Sequence, residues 1–164
     1  MIGPKDNVLP SSGIKLSRHG VVDFDKLIES MKNWISKRKY DFTEKKHSDK
    51  ITGLGHEIKI TWVNDREVTD YIKFHIDVDF VVYELNKTKT AEKNLYSGEV
   101  NIKFFAYLEL DWKKRWRSFP FGSFLMYVYN NYLIKDKIKR YEGKLMSEVL
   151  ELQEKAKTIL EMYK

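Results

Sequence analysis

The chain has 164 residues, 42% hydrophobic and 14% aromatic, enough to bury a core without covalent staples. It has no cysteine, which excludes a disulfide framework, a thiolate metal site and a thiol nucleophile. Its 30 basic and 24 acidic side chains leave a formal charge of +6, which permits contact with phosphate or anionic lipid without demanding it.

No apolar run reaches the ~18 residues that a membrane span requires. The opening MIGPKDNVLPSSG has no uncharged apolar core of the signal-peptide kind. These features predict a cytoplasmic protein with no transmembrane segment, still able to lie on a membrane surface.

Residues 1–20 combine Pro4, Pro10, Ser11, Ser12, Gly13 and Gly20 with little periodicity, and read as a flexible N-terminal arm pinned at Ile14 and Leu16. Residues 21–164 read as one α+β domain. Phe24, Leu27, Ile28, Met31, Trp34 and Ile35 fall at steps of three and four, which predicts a helix from Phe24 to Arg38 with Asp23 as its N-cap. Tyr40 to His47 suggests a short strand, and Ser48 to Gly55 a turn. The Gly53/Gly55 pair is no phosphate loop, because no strand-loop-helix context and no Lys-Ser/Thr pair follows it.

From Glu57 the pattern alternates. Ile58, Ile60 and Trp62 share one face, and Asn64, Asp65 and Arg66 read as a hairpin connection. Val68, Ile72, Phe74, Ile76, Val78, Phe80 and Val82 then form a long apolar row, opposite Thr69, Tyr71, Lys73, His75, Asp77 and Asp79. Such a strand would run ~50 Å if straight, against a radius of gyration of ~15 Å for the domain, so it must coil or carry a bulge. Residues 86–97 suggest the tip of a second hairpin. Val100, Ile102, Phe104, Ala106, Leu108, Leu110 and Trp112 make the returning row, with Phe105 the apolar exception on the outer face. Only certain antiparallel registers keep these rows together, two of which pair opposite charges. One sets Lys73 opposite Asp111 and His75 opposite Glu109. The other sets Lys73 opposite Glu109 and Asp79 opposite Lys103.

After Trp112 the chain turns to KKRWRSFPFG, with Ser118 and Pro120 reading as a helix entry. Phe121, Phe124, Leu125, Val128 and Tyr132 predict an apolar helix to about Ile134 that covers the sheet, with a bend at Asn130-Asn131 or at Lys135-Asp136-Lys137. Ile138, Tyr141, Leu145, Val149, Leu152, Ala156, Ile159 and Tyr163 predict a final helix of about 26 residues and ~39 Å. Its seam also resembles a short coiled coil, which makes a homo-oligomer through this helix an alternative. The predicted architecture is therefore an N-terminal helix, a long curved antiparallel meander of three to four strands, and two C-terminal helices, or one bent one, packed on one face of the sheet. The outer face is expected to be exposed or used in assembly.

Chemistry-bearing patterns are few. His75, Asp77 and Asp79 share a strand face, but their ~6.5 to 7 Å spacing is wide for one ion, and the plainer reading is a salt-bridged sheet surface. Asp70, Asp77, Asp79, Glu109 and Asp111 show no pattern that places two carboxylates in a cleft, and no Ser-His-Asp signature is present. The reading therefore leans away from an enzyme, with no catalytic residue, metal or cofactor assigned. The functional candidate is the junction after Trp112: Lys113, Lys114, Arg115, Trp116 and Arg117. Cations there suit phosphates and aromatics suit bases, and the same set suits lipid headgroups and the membrane interface. The expected function is a non-enzymatic binding or assembly module whose basic aromatic corner contacts nucleic acid or a membrane surface. The plain alternative for that corner is a strand-to-helix junction whose aromatics cap the core.

A second functional reading is a hydrophobic small-molecule carrier, or an enzyme, with a pocket between the curved sheet and the C-terminal helices. In architecture alone, a coiled sheet closing on a long helix resembles the helix-grip lipid-binding domains, which have six or seven strands and two short helices after the first. That resemblance implies no binding residues in this chain.

Overall fold

The structure, a computed structural model, describes residues 4–88 and 94–163. Residues 1–3 of the expected arm, and 89–93 at the expected tip of the second hairpin, lie outside the described residues. The fold is α+β, built on one antiparallel sheet. Its strands are β1 (Lys5–Asn7), β2 (Ile14–Val22), β3 (Asp41–Thr52), β4 (Gly55–Glu67), β5 (Ile72–Lys87) and β6 (Tyr96–Leu110). Spatially they run β1-β6-β5-β4-β3, with β2 following β1 along the same edge of β6.

Among the described residues the sheet thus has six strands, where the alternation alone predicts three or four. The difference comes from the first twenty residues. Lys5–Asn7 pairs with Glu109–Tyr107, and Ile14–Val22 pairs with Phe104–Tyr96. Between them Val8 and Leu9 both donate backbone N–H groups to the Ala106 carbonyl, and Leu9 is buried. An interrupted edge strand offers only half an apolar row, which is why it resembles an arm in sequence. The first helix, α1 (Phe24–Lys37), consequently follows two strands and does not open the fold. Asp23 caps it by accepting the Lys26 N–H at 3.0 Å.

The meander is longer than its apolar pattern. β3 continues through Thr52 to a tight turn at Gly53-Leu54. β4 runs through Asn64, Asp65 and Arg66, the residues expected to turn, and the hairpin lies instead at residues 68–71. Asn64 and Arg66 occupy the inward row after Trp62. Buried Asn64 donates to the Ile76 carbonyl at 2.9 Å. Arg66 donates to both Glu148 oxygens at 2.9 and 3.1 Å and to the Arg38 carbonyl at 2.7 Å. The Tyr40 hydroxyl donates to Glu148 at 2.5 Å. The inward Arg66 is thus explained by a buried carboxylate on α3, and the inward Asn64 by a neighbouring strand carbonyl.

β5 and β6 adopt the second register, with Lys73 opposite Glu109 and Asp79 opposite Lys103. Of the two alternatives, coiling or a bulge, a bulge is present: pairing slips between Tyr83 and Asn86, and Glu84 takes φ 54°. Gly98 faces this bulge, where a Cβ would stand 2.9 Å from the Tyr83 carbonyl oxygen.

The inward rows of β4, β5 and β6 pack against α1 and the last helix, α3 (Lys135–Leu160), around Trp62, Phe74, Phe80 and Phe104. Ile138, Leu145, Val149, Leu152, Ala156 and Ile159 of α3 are buried in this core, so the stripe that resembles a coiled-coil seam packs within the chain. Among the described residues, no helix is long and apolar enough to cross a membrane.

Candidate functional site

The chain leaves β6 through two left-handed residues, Asp111 at φ 51° and Lys114 at φ 57°. The buried Asp111 carboxylate accepts the backbone N–H groups of Arg115 at 2.8 Å and Trp116 at 3.2 Å. It thereby caps a single 3₁₀ turn, Arg115–Ser118. Trp112 donates its indole N–H to the Thr69 carbonyl at 2.8 Å, and the Lys73 and Lys113 ammonium groups stand 5.7 and 5.0 Å from its ring. Lys113 and Arg115 reach Asp70 of the β4–β5 turn at 2.6 and 3.3 Å. The Lys113 hydrogen bond and charge hold the Asp70 carboxyl below its usual range.

Beyond the turn, α2 (Gly122–Val128) runs into a π-helical turn, Tyr129–Leu133. The expected helix entry at Ser118-Pro120 is instead the end of the 3₁₀ turn, and the helical path breaks at Ile134 (φ −118°, ψ 15°), between the Asn130-Asn131 pair and the Lys135-Asp136-Lys137 cluster where a bend was expected. One side of α2 is fixed to the body. Trp116 lies 5.5 Å from the Tyr129 ring, Tyr129 meets Tyr71 edge-on at 5.2 Å, and the Tyr71 hydroxyl donates to Asn130 at 2.6 Å. Burial pushes that hydroxyl up to about 12. Gly122 passes so close that a Cβ would sit 1.8 Å from the Trp116 carbonyl oxygen.

The other side meets solvent. Phe121 is 84% exposed, Phe124 64% and Tyr132 73%, with Leu125, Tyr127, Leu133 and Phe119 also exposed. The expectation that residues 121–134 cover the sheet is therefore corrected. α1 and α3 already occupy that face, and α2 touches mainly the turns that flank it. Lys113, Lys114, Arg115 and Arg117 are exposed as a surface site requires, whereas Trp116 is half-buried and braces α2.

Sequence reasoning named Asp70 and Asp111 only as scattered carboxylates and tied neither to the corner they shape, and it placed the apolar row on the wrong side. One signal was legible. Ser118 to Ile134 carries no charged side chain, while Lys113, Lys114, Arg115 and Arg117 precede it and Lys135, Lys137, Lys139 and Arg140 follow it.

The outer sheet face is partly covered. His75, Tyr107, Glu109 and Asn101 are buried there, because long side chains lie flat on one another. The His75 ring stacks on Tyr107 at 4.5 Å, and its Nε2 lies 2.7 Å from Glu109. Burial holds His75 below its usual range, so a neutral ring donating an N–H to the carboxylate describes the contact. Burial also raises Asp77 to about 6. Among the described residues, no three His, Asp or Glu side chains converge as metal ligands. Grooves of about 490 and 420 Å³ lie between α1 and β3–β5, lined by no residue of the C-terminal helices.

No protein-family model matches the chain, and comparison with curated proteins and with solved structures finds no match.

Proposed function

We propose that the chain is a binding module that seats its corner, residues 113–134, on an anionic membrane surface. The observation that carries this reading is an exposed, uncharged aromatic and aliphatic row bounded on both sides by basic residues. Interfacial segments combine Phe, Leu, Tyr and Trp, which enter the headgroup–acyl boundary, with Lys and Arg that meet lipid phosphates. Each basic residue close to an anionic leaflet contributes ~1 kcal/mol of attraction, reduced by salt. Nucleic acid is the weaker partner for this surface. Bases stack on aromatic rings, but Leu125 and Leu133 offer no π-face, and no cation lies within the row itself.

Flotation with vesicles of phosphatidylserine and phosphatidylcholine tests the proposal. The expected result is binding that grows with phosphatidylserine content and falls with salt. Arg115→Ala with Arg117→Ala should weaken it, and Phe121→Ser with Phe124→Ser should abolish it while leaving the unfolding midpoint unchanged. Absence of binding at low salt would overturn the reading. So would vesicle binding that survives loss of both phenylalanines. Tight binding of single-stranded nucleic acid, unaffected by the phenylalanine pair, would move the function to that partner.

A further inference from the structure

A second surface lies at the opposite end of the sheet, where β6 begins at Tyr96, far along the strand from the corner that follows Leu110. β3 is exposed along nearly its whole length, because α1 and α3 cover the sheet only as far as the neighbouring strands. The uncovered step between α1 and β3–β5 forms two adjoining grooves of about 490 and 420 Å³, which share Phe24, Asp25, His47 and Ile60. These volumes match small-ligand sites. Ile28, Ile58, Leu85 and Tyr96 extend the lining with largely apolar surface.

The rim has the opposite sign to the chain as a whole. Asp25, Glu29, Glu44 and Asp49 line the grooves, against Lys32 and Lys87. Lys32 lines the first groove with its ammonium 5.3 and 5.6 Å from the Phe42 and Trp62 rings. Glu44 and Asp49 are engaged by His47 at 3.0 Å and His56 at 2.9 Å. Asp25, by contrast, receives only a long 3.4 Å hydrogen bond from the Tyr96 hydroxyl among the contacts resolved, and it stands at the junction of both grooves. On a protein of charge +6, an apolar groove rimmed by excess carboxylate discriminates by charge.

We infer that this groove binds a small hydrophobic amine. The apolar part lies along Phe24, Ile28, Ile60 and Leu85, and the ammonium group meets Asp25 and Glu29. An acyl carboxylate of equal length would face the same rim with like charge.

The test compares octylamine, octanol and octanoate, each titrated below its aggregation concentration into ¹⁵N-labelled protein and followed by amide shifts. Octylamine should give saturable shifts centred on Asp25, Ile28, Ile60 and Tyr96, with affinity at least ~10-fold above that of the other two. Asp25→Asn with Glu29→Gln should lower octylamine affinity by about 10-fold and leave octanol unchanged. Both positions are exposed on α1, and an unaltered spectrum elsewhere would show that the variant is folded. Octanoate binding as tightly as octylamine would overturn the inference. Equal octylamine affinity in the double variant would also do so, as would shifts centred on Phe121 and Phe124. Vesicle binding by the corner stands or falls separately, since neither variant set touches the other surface.

Discussion

Trp62, Phe74, Phe80 and Phe104 are at most 1% exposed in the body, whereas Phe121 and Phe124 stand 84% and 64% exposed at the corner. The same residue type meets opposite fates because the two regions are patterned differently. In the body the apolar rows are backed by mostly polar rows, so burying one face places most of each strand's apolar side chains. α2 is apolar on both sides. Packing Tyr129 and Gly122 against Trp116 and Tyr71 necessarily turns Phe121, Phe124 and Leu125 outward. Leaving a large side chain in water forgoes ~1.5 to 3 kcal/mol of burial. A row of them lying outside the core is the observation on which the membrane proposal rests.

That contrast can be broken hardest from inside the body. Glu148 is buried and holds Arg66 and the Tyr40 hydroxyl, while Arg38 lies 3.9 Å away. Glu148→Ala strands the Arg66 charge beneath α3 and should cost about 3 to 5 kcal/mol in urea unfolding. Replacing both partners, Glu148→Leu with Arg66→Met, should recover most of that loss. If the single change costs under ~1 kcal/mol, the polar cluster is not what joins β4, α1 and α3.

The body also contains one poorly placed charge. Asp77 is largely buried on the outer face, and one of its carboxylate oxygens has no hydrogen-bond partner. Its folded pKa of about 6 lies above the ordinary 3.8, so the folded state binds the extra proton between those values. Stability therefore falls as pH rises through that window, and the full cost persists above it. Asp77→Asn should gain on the order of 2 kcal/mol at pH 7.5, with the gain shrinking toward zero near pH 4. A pH-independent gain would assign the effect to packing.

Most of the body was legible in the sequence because its rows are long and repeat cleanly. α1, α3 and both long strands follow from period and length alone, and strand length asked for either coiling or a bulge. What escaped was set by partners distant in sequence. β1 and β2 are strands only because β6 offers an edge to them, and Arg66 faces inward because Glu148 is there, 82 residues beyond it. At the corner the exposure of the basic residues was legible from composition. The fate of Phe121 to Leu133 was not, because an apolar helix reads the same whether it covers a sheet or projects from one. Deciding that requires knowing that α1 and α3 already fill the face.

The gentlest test acts on the hinge between the two regions. Gly122 lies where any Cβ would meet the Trp116 carbonyl at 1.8 Å, and that atom is backbone, unable to swing away as a side chain would. Gly122→Ala must therefore move α2 away from the 3₁₀ turn and loosen the Trp116–Tyr129–Tyr71 packing. Since α2 shares little contact with the core, global stability should fall by no more than ~1 kcal/mol. Amide shifts should change at residues 112–134 and at Tyr71, and remain still in β4–β6 and α3. Vesicle binding then separates two meanings of the exposed row. If the lipid reads a fixed arrangement of Phe121, Phe124 and the basic collar, affinity falls about tenfold, since a loosened segment must be re-ordered on binding. If affinity is unchanged, the corner needs only its composition, and the bracing by Trp116 serves the fold alone.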